Sequence, residues 1–319
     1  MMAPIDRSAK RLLDILAAGR SEQTDEVSVE PLRRSMLRLA EAADVRGVPV
    51  GGVEDRTAPG PGGPLPIRIY TPADGCQVNG TDRLPCVVYF HGGTGTFGSI
   101  ATHDGLCRLL ANSSGCRIVS VGYRLAPEHP FPAAIDDGEF VMSWVADHAG
   151  ELQVDPDRLV AAGDSAGGTI AAVVCQLARH DGPRIALQVL LCPVTDLAAE
   201  SRSRRDFARG YFIERSTLEW AKGAYAAGAD PTDPRLSPLR AATLAGLPPA
   251  HVHTAEYDPM RDEGEAYARA LASAGVRVRY TCHAGLIHHF YCMAGAIPAG
   301  RTVMASVGAA IRDAVATAA

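Results

Sequence analysis

The sequence predicts an α/β protein whose central sheet is mostly parallel and is covered by helices on both faces. Its 319 residues are 47% hydrophobic and 21% charged, which is enough apolar material to bury one large core. After the first 72 residues, short β-branched or aromatic runs alternate with longer segments of helical periodicity. A repeated order of strand, helix and strand is the pattern of parallel βαβ units.

The elements follow in order along the chain. Residues 1–45 place apolar side chains at the helical period, which predicts N-terminal helices, and the glycine- and proline-rich stretch 49–72 predicts edge strands and turns. We expect 46–196 and 240–319 to form one α/β domain, interrupted at 197–239 by a charged, aromatic and helical insertion. The later predicted strands are PCVVYF, CRIVSVGY, RLVAAG, IALQVLLC, HVHTAEY and VRVRYTCH.

The insertion at 197–239 has two interpretations. Together with the helices of 1–45 it suits a cap over the carboxyl ends of the strands, where open α/β sheets bind ligands. An ordinary peripheral layer of helices explains the same pattern equally well.

Charge and hydropathy restrict the partners of the protein. The net charge of −5 leaves no basic patch for nucleic acid or for an anionic membrane surface. No segment approaches the ~18 uninterrupted apolar residues that span a bilayer, and charges at 6–14 interrupt any signal-peptide core. We therefore expect a cytoplasmic protein without a membrane span that acts on a small molecule. A homodimer is compatible with the sequence.

The cysteine pattern also favours an intracellular protein. The eight cysteines form no Cys-x-x-Cys pair, and several lie inside apolar runs, where a free thiol behaves as a small hydrophobic side chain. Free thiols are therefore expected rather than a disulfide framework.

The strongest motif is Gly-Asp-Ser-Ala-Gly at 163–167, between a predicted strand and a predicted helix. A serine on such a sharp turn is held in a strained backbone conformation, and the turn closes only if the flanking positions lack a Cβ atom. Gly163 and Gly167 meet this requirement, which would expose the hydroxyl of Ser165 at the carboxyl edge of the sheet. The alternative is a plain helix-capping serine with glycines for close packing.

A glycine-rich loop, His-Gly-Gly-Thr-Gly-Thr-Phe-Gly at 91–98, follows another predicted strand. Backbone N–H groups in such a loop can point at the oxyanion that forms during acyl transfer. Ala166, directly after the candidate nucleophile, would add its own N–H. The alternative, a phosphate cradle, lacks both Gly-Lys-Ser/Thr and Gly-x-Gly-x-x-Gly.

Five blocks in order resemble the hormone-sensitive-lipase-like branch of the α/β-hydrolases, the bacterial family IV esterases. They are His91-Gly92-Gly93, YRLAPEHPFPAAIDD at 123–137, GDSAGG at 163–168, DPMRDEG at 258–264 and GLIHHF at 285–290, and the resemblance covers most of 65–319. It implies the α/β-hydrolase fold with a helical cap. It also implies that the segment 123–137 is scaffold rather than a metal site.

The resemblance implies a role for three residues. Ser165 matches the nucleophile, Asp258 the triad acid and His288 the general base, in the chain order expected for this fold. Asp258 and His288 each follow a predicted strand, so both would reach the edge that carries Ser165. The remaining candidates are His283 and His289 for the base, and Asp196 and Asp262 for the acid; Asp164 is too close to the serine in sequence.

The oxyanion loop departs from the family pattern at one position. Members usually carry a third glycine where this chain has Thr94, and a bulky aromatic residue where it has Gly95. The backbone N–H donors expected at Gly93, Thr94 and Ala166 survive this change, although threonine resists a positive φ. For an apolar substrate pocket the candidates are Phe97, Tyr211 and Phe212, with core packing as the alternative.

The sequence therefore predicts a serine carboxylester hydrolase that acts on short- to medium-chain acyl esters through an acyl-enzyme intermediate. No cofactor and no metal are needed for this chemistry. One alternative is an amide or N-acetyl hydrolase with the same triad. Another is a non-catalytic ligand-binding protein on this fold.

Overall fold

The protein is built around one eight-stranded sheet with the strand order β1-β2-β4-β3-β5-β6-β7-β8. The computed structural model describes residues 2–19, 28–74 and 83–316. β1 and β2 form an antiparallel hairpin, β2 pairs antiparallel with β4, and all later pairings are parallel. The strands are β1 Gly52–Gly60, β2 Gly63–Thr71, β3 Leu84–Phe90, β4 Arg117–Val121, β5 Val154–Asp164, β6 Ile185–Leu191, β7 Ala250–Tyr257 and β8 Val278–Ile287.

Helices cover both faces of the sheet. α4, α5 and α8 pack on one face, in a core centred on residues such as Val88, Val141 and Ile170. α1, α3 and α9 pack on the other face, around residues such as Leu106 and Ile311. The helices are α1 Arg7–Ala18, α2 Val29–Ala43, α3 Asp104–Ser114, α4 Ala133–Asp147, α5 Ala166–Asp181, α6 Arg202–Asp206, α7 Arg215–Ala226, α8 Arg261–Ser273 and α9 Ala299–Ala316.

Burial explains why the strands read as continuous apolar runs. Every residue of β3 is buried, because a parallel strand with helices on both faces has no solvent side. The edge strand β1 is mostly exposed instead, and only Ala58 of its nine residues is buried. The predicted fold class is confirmed, and each predicted strand appears within a few residues of its expected bounds.

The N-terminal segment and the insertion are helical, as the periodicity predicts. Asp6 caps the N-terminus of α1, because its carboxylate accepts hydrogen bonds from the N–H groups of Ser8 and Ala9. The insertion contributes α6 and α7, and the described residues of 197–239 form no strand. Residues 20–27 of the N-terminal segment lie outside the described part of the chain.

Two further sequence expectations concern helices and thiols. Within the described residues, no helix has both the length and the apolar character that a membrane crossing requires. Seven described cysteines carry free thiols, and Cys282 is the exposed one among them. Cys76 lies outside the described residues.

Candidate active site

Ser165 stands at the turn between β5 and α5 in a strained backbone conformation, with φ 52° and ψ −121°. A Cβ atom on Gly163 would lie 2.3 Å from the carbonyl oxygen of Gly167, and one on Gly167 would lie 2.0 Å from that of Phe90. Both contacts are with rigid backbone, so glycine is required on either side of the serine. The side chain of Ser165 makes no capping hydrogen bond to α5, which argues against the plain helix-capping interpretation.

The hydroxyl of Ser165 belongs to a buried chain of hydrogen bonds. Ser165 Oγ lies 3.1 Å from His288 Nε2, and His288 Nδ1 lies 2.8 Å from Asp258 Oδ2. The second oxygen of Asp258 accepts the backbone N–H of Met260 at 2.8 Å. Asp258 follows β7 and His288 follows β8, so the three side chains meet at the carboxyl edge of the sheet.

Burial and the charge of Asp258 set the pKa of His288 and of the neighbouring Cys192. Burial alone would lower the pKa of His288, but the carboxylate of Asp258 outweighs burial and raises this pKa above its usual 6.5. Cys192, with φ 45°, sits beside the carboxylate. Burial, and then the charge of Asp258, raise the pKa of its thiol far above the usual range, which keeps it protonated. Sequence reasoning did not single out Cys192, because nothing in its local pattern indicates this contact.

The two rival histidines point elsewhere. His289 Nδ1 lies 3.5 Å from a carboxylate oxygen of Asp164. His283 Nε2 lies 3.2 Å from His253 Nδ1, and the two rings are stacked. Of the three candidate bases, His288 is therefore the one that hydrogen-bonds to Ser165.

The two rival acids serve local structure. Asp196 Oδ1 accepts the N–H of Ala198 at 3.0 Å and the guanidinium of Arg240 at 2.8 Å. Asp262 lies in the first turn of α8 and accepts the N–H of Ser203 at 2.8 Å. The hydrogen bond that Asp196 accepts from the N–H two residues on is that of a turn carboxylate.

The glycine-rich loop takes up positive φ angles in succession. Gly93 has φ 122°, Thr94 φ 55° and Gly95 φ 75°. Thr94 therefore adopts the left-handed conformation that its branched side chain resists, and its hydroxyl lies 2.8 Å from that of Thr96. The turn and loop hydrogen bonds of the described residues leave the N–H groups of Gly93, Thr94 and Ala166 unused.

A small cavity of about 50 Å³ lies beside Thr94 and Ala166. Its walls come from the core and from α6 and α7 of the insertion. None of Phe97, Tyr211 and Phe212 lines it. The lining residues outside the oxyanion loop include Thr169, Val194, Leu197, Arg204, Leu218, Lys222, Tyr225, Leu236 and Met260.

Of the three aromatic candidates, Tyr211 and Phe212 stack on other rings, and Phe97 is buried. Phe97 is buried, and its N–H donates to the carbonyl oxygen of Gly93 at 2.9 Å. Tyr211 stacks on Tyr257 with ring centroids 5.6 Å apart. Phe212 stacks on His289, at 5.7 Å, and so lies next to the residue that follows His288.

An ion pair fastens the insertion to the core. The guanidinium of Arg204, in α6, lies 2.8 Å from the carboxylate of Glu263, and both side chains are largely buried. Burial raises the pKa of Glu263, and the charge of Arg204 opposes that rise. Sequence reasoning did not identify this pair, because its members are distant in the chain.

Two acidic residues of the segment 123–137 pair with arginines. The buried carboxylate of Asp137 accepts the N–H and the guanidinium of Arg124. Glu128 pairs with Arg33 of α2 at 2.7 Å. Among the described residues, this segment contributes to no group of side chains spaced to hold a metal ion.

Two buried groups do have metal-ligand spacing. One is Cys192 with Asp258 and His288, whose atoms already form the hydrogen-bonded chain with Ser165. The other joins His103, Asp164, His289 and Cys292 beneath the serine. One oxygen of Asp164 already accepts two hydrogen bonds, and two histidines face the carboxylate, so its charge is balanced by protein groups.

Comparisons with known proteins agree with this geometry. A family profile described as alpha/beta hydrolase fold matches residues 87–292. The carboxylic ester hydrolase LipN of Mycobacterium tuberculosis is 39% identical over 318 residues, covering 90% of this chain and 82% of that protein. An arylesterase of Saccharolobus solfataricus is 35% identical and covers 97% and 99% of the two chains.

Solved structures show the same likeness in three dimensions. An ester hydrolase from the metagenome of Lake Arreo, solved in complex with a derivative of bipyridine phosphonate, superposes with a TM-score of 0.92. It is 39% identical, and the match covers 97% of this chain and 98% of that one. The fold and site define an α/β-hydrolase. The chain belongs to the alpha/beta hydrolase family, in the hormone-sensitive-lipase-like branch that its motifs resemble.

Proposed function

We propose that the protein is a serine carboxylester hydrolase in which Ser165, His288 and Asp258 form the catalytic triad. The observation that carries this proposal is the continuous chain of hydrogen bonds from the hydroxyl through the imidazole to the carboxylate. The similarity to a carboxylic ester hydrolase and an arylesterase over nine tenths of the chain or more supports the same activity.

The proposed mechanism follows from this arrangement. As Ser165 Oγ attacks the ester carbonyl, its proton passes to His288 Nε2. Asp258 holds the Nδ1–H tautomer of His288 and stabilises the imidazolium that forms. The imidazolium then returns the proton to the leaving alcohol, which leaves an acyl-enzyme. A water molecule, deprotonated by His288, hydrolyses that intermediate.

The N–H groups of Gly93, Thr94 and Ala166 would bind the oxyanion of each tetrahedral intermediate. Thr94 and Ala166 both line the cavity, and none of the three N–H groups is used in a turn or loop hydrogen bond of the described chain. Ala166 is the first residue of α5, so the helix dipole adds to the attraction for the negative charge. Each such donor contributes about 100- to 1,000-fold in rate.

A cap built from 1–45 and 197–239 would cover this site, with 46–196 and 240–319 as the catalytic domain. α6 and α7 supply one wall of the cavity. From α2, Arg33 donates to the carbonyl oxygens of Thr96 and Ala126, at 2.9 and 3.1 Å. Both helical segments therefore contact the loops that carry the proposed oxyanion donors.

Short- to medium-chain acyl esters are the proposed substrates, because the cavity is far smaller than the ~300–1,000 Å³ of drug-sized ligand sites. We expect kcat/KM for p-nitrophenyl esters to pass through a maximum at short to medium acyl length. Leu218→Ala should move this maximum to longer chains, because each added methylene then finds apolar contact worth ~0.8 kcal/mol. The exposed Ile15→Ala is the control. Rates rising steadily to long chains would contradict the proposal.

The pH profile tests the role of His288. The base must be neutral, and its pKa is raised above 6.5, so kcat/KM should fall with decreasing pH through a midpoint above 6.5. Asp258→Asn removes the charge that raises this pKa and should move the midpoint of the residual activity to lower pH. A profile that stays flat well below 6.5 would show that another group acts as the base.

An amide or N-acetyl hydrolase with the same triad is the alternative enzyme, and a panel of matched esters and amides separates the two. A non-catalytic ligand-binding protein is the other alternative. Stoichiometric phosphonylation at Ser165 requires an activated nucleophile, so observing it would exclude the non-catalytic binding protein. Phe97, Tyr211 and Phe212 as substrate contacts, the cytoplasmic location and the homodimer remain predictions from the sequence.

A further inference from the structure

Asp164, the residue before the proposed nucleophile, has a completely buried carboxylate. Its Oδ1 accepts the hydroxyl of Tyr89 and the N–H of Gly92, each at 2.8 Å. His103 Nε2 lies 3.2 Å from the same oxygen. On the other side, Oδ2 faces His289 Nδ1 at 3.5 Å. Four residues from three segments of the chain thus contact one side chain that takes no direct part in the proposed reaction.

Two of these contacts, those with Gly92 and His289, reach loops of the proposed site. Gly92 precedes the proposed oxyanion donors Gly93 and Thr94, and His289 follows the proposed base His288. Asp164 itself is the last residue of β5 before Ser165. The carboxylate therefore links the loops of the nucleophile, the oxyanion donors and the base.

The fit between Asp164 and Gly92 is close. A Cβ atom on Gly92 would lie 2.2 Å from Oδ2 of Asp164, so the loop approaches the carboxylate more closely than any other residue type allows. Gly92 has no positive φ. The requirement for glycine at this position therefore comes from Asp164 rather than from backbone conformation.

Electrostatics keeps the carboxylate ionised. Burial would raise the pKa of Asp164, but the charge and hydrogen bond of His103, together with the hydrogen bond of His289, outweigh burial and hold this pKa well below its usual range. Burial lowers the pKa of His289, so this ring acts as a hydrogen-bond donor rather than as a cation. The pKa of His103 is raised by Asp164 against the effect of its own burial. The thiol of Cys292, the remaining titratable group of the cluster, is kept protonated because burial raises its pKa.

We propose that Asp164 is a positioning residue for the hydrolase reaction, which holds the oxyanion loop and the base loop at fixed distances from Ser165. This inference rests on the proposed function. It predicts that loss of the carboxylate weakens stabilisation of the transition state, whereas binding of the ester in its ground state is little changed.

The first test compares Asp164→Ala with Asp164→Asn. Rates are expressed per site titrated with a fluorescent phosphonate, so misfolded protein does not count. We expect Asp164→Ala to lower kcat by about 100-fold, the loss caused by one misplaced oxyanion donor, with KM changed by less than about 3-fold. Affinity for a trifluoromethyl ketone, which forms an oxyanion with Ser165, should fall by the same factor as kcat/KM.

Asp164→Asn keeps an oxygen for Tyr89 and Gly92 but removes the charge, so its loss of kcat should be smaller. The charges that face His288 and raise its pKa are those of Asp258, Asp164 and Glu263. Asp164→Asn should therefore shift the fall of kcat/KM on the acid side of the pH profile to lower pH. A merely structural role for Asp164 would not shift this part of the profile. Should Asp164→Ala fail to fold, an unchanged pH profile and an unchanged kcat in Asp164→Asn overturn the proposal.

The second test is a double-mutant cycle with Gly92→Ala. Alone, the added methyl group collides with Asp164 and should lower kcat by about 100-fold, again the scale of one oxyanion donor. In the Asp164→Ala background the collision with the carboxylate is gone and only the backbone oxygen of residue 164 remains near the added atom, at 3.1 Å, so Gly92→Ala should cost little more. Independent, multiplying losses would overturn the proposal. A wild-type protein that hydrolyses no ester and takes up no phosphonate would instead refute the proposed function, so the two failures are distinguishable.

Discussion

Replacement of Asp258 by asparagine should lower kcat about 10⁴-fold, because the amide would favour the wrong tautomer of His288 and could not stabilise its imidazolium. Ser165→Ala should cost about 10⁶-fold, since it removes the nucleophile itself. The measurement is the steady-state hydrolysis of an activated ester of short acyl length, with the concentration of folded protein taken from near-UV circular dichroism.

The matched control is Asp262→Asn, which changes a carboxylate in the same sequence block, DPMRDEG, four residues along the chain. Asp262 accepts a hydrogen bond from the N–H of Ser203 but does not contact His288. We expect its kcat to stay within a few fold of the wild type. If Asp262→Asn lost as much activity as Asp258→Asn, the assignment of the triad acid would be wrong.

Replacement of Gly167 by alanine should prevent formation of the folded protein or destabilise it by at least about 3 kcal/mol, beyond ordinary overpacking. The added Cβ would lie 2.0 Å from the carbonyl oxygen of Phe90 and 2.5 Å from that of His91. Both are backbone atoms of the adjacent strand and loop, so no side-chain movement relieves the contact. Urea unfolding, followed by fluorescence, gives the change in the free energy of unfolding.

Gly223→Ala in α7 is the control for this substitution. An added Cβ meets nothing within 4 Å there, and alanine is a better helix former than glycine, so we expect a gain of about 0.5–1 kcal/mol. Similar behaviour of the two variants would show that the nucleophile turn is not sterically restricted.

Much of the fold could be predicted from local patterns. The period of the apolar residues indicates the strands and helices, and β3 is confirmed at 84–90 where the run PCVVYF predicts it. The serine turn could be predicted for the same reason, since its glycines and its position between a strand and a helix are local features. Asp258 and His288 are marked in the sequence only by following a predicted strand. The family resemblance was therefore needed to distinguish them from the other candidate acids and bases.

The contacts beneath the site could not be predicted in this way. Asp164 meets Tyr89 and His103, which lie 75 and 61 positions away. No periodicity records which buried polar groups face each other across different strands and loops. The cavity poses the same difficulty, because its walls come from distant segments, and none of the aromatic candidates chosen by residue type is among its lining residues.

The contact of Arg33 with the carbonyls of Thr96 and Ala126 has a practical consequence for how the protein can be shortened. A truncation that starts at β1 would retain the sheet, the serine turn and both proposed triad partners, and its motifs would all be present. It would nevertheless lack Arg33, whose guanidinium hydrogen-bonds to the carbonyls of Thr96 and Ala126 and pairs with Glu128. We therefore expect activity to depend on α2, although no residue in it matches a catalytic motif.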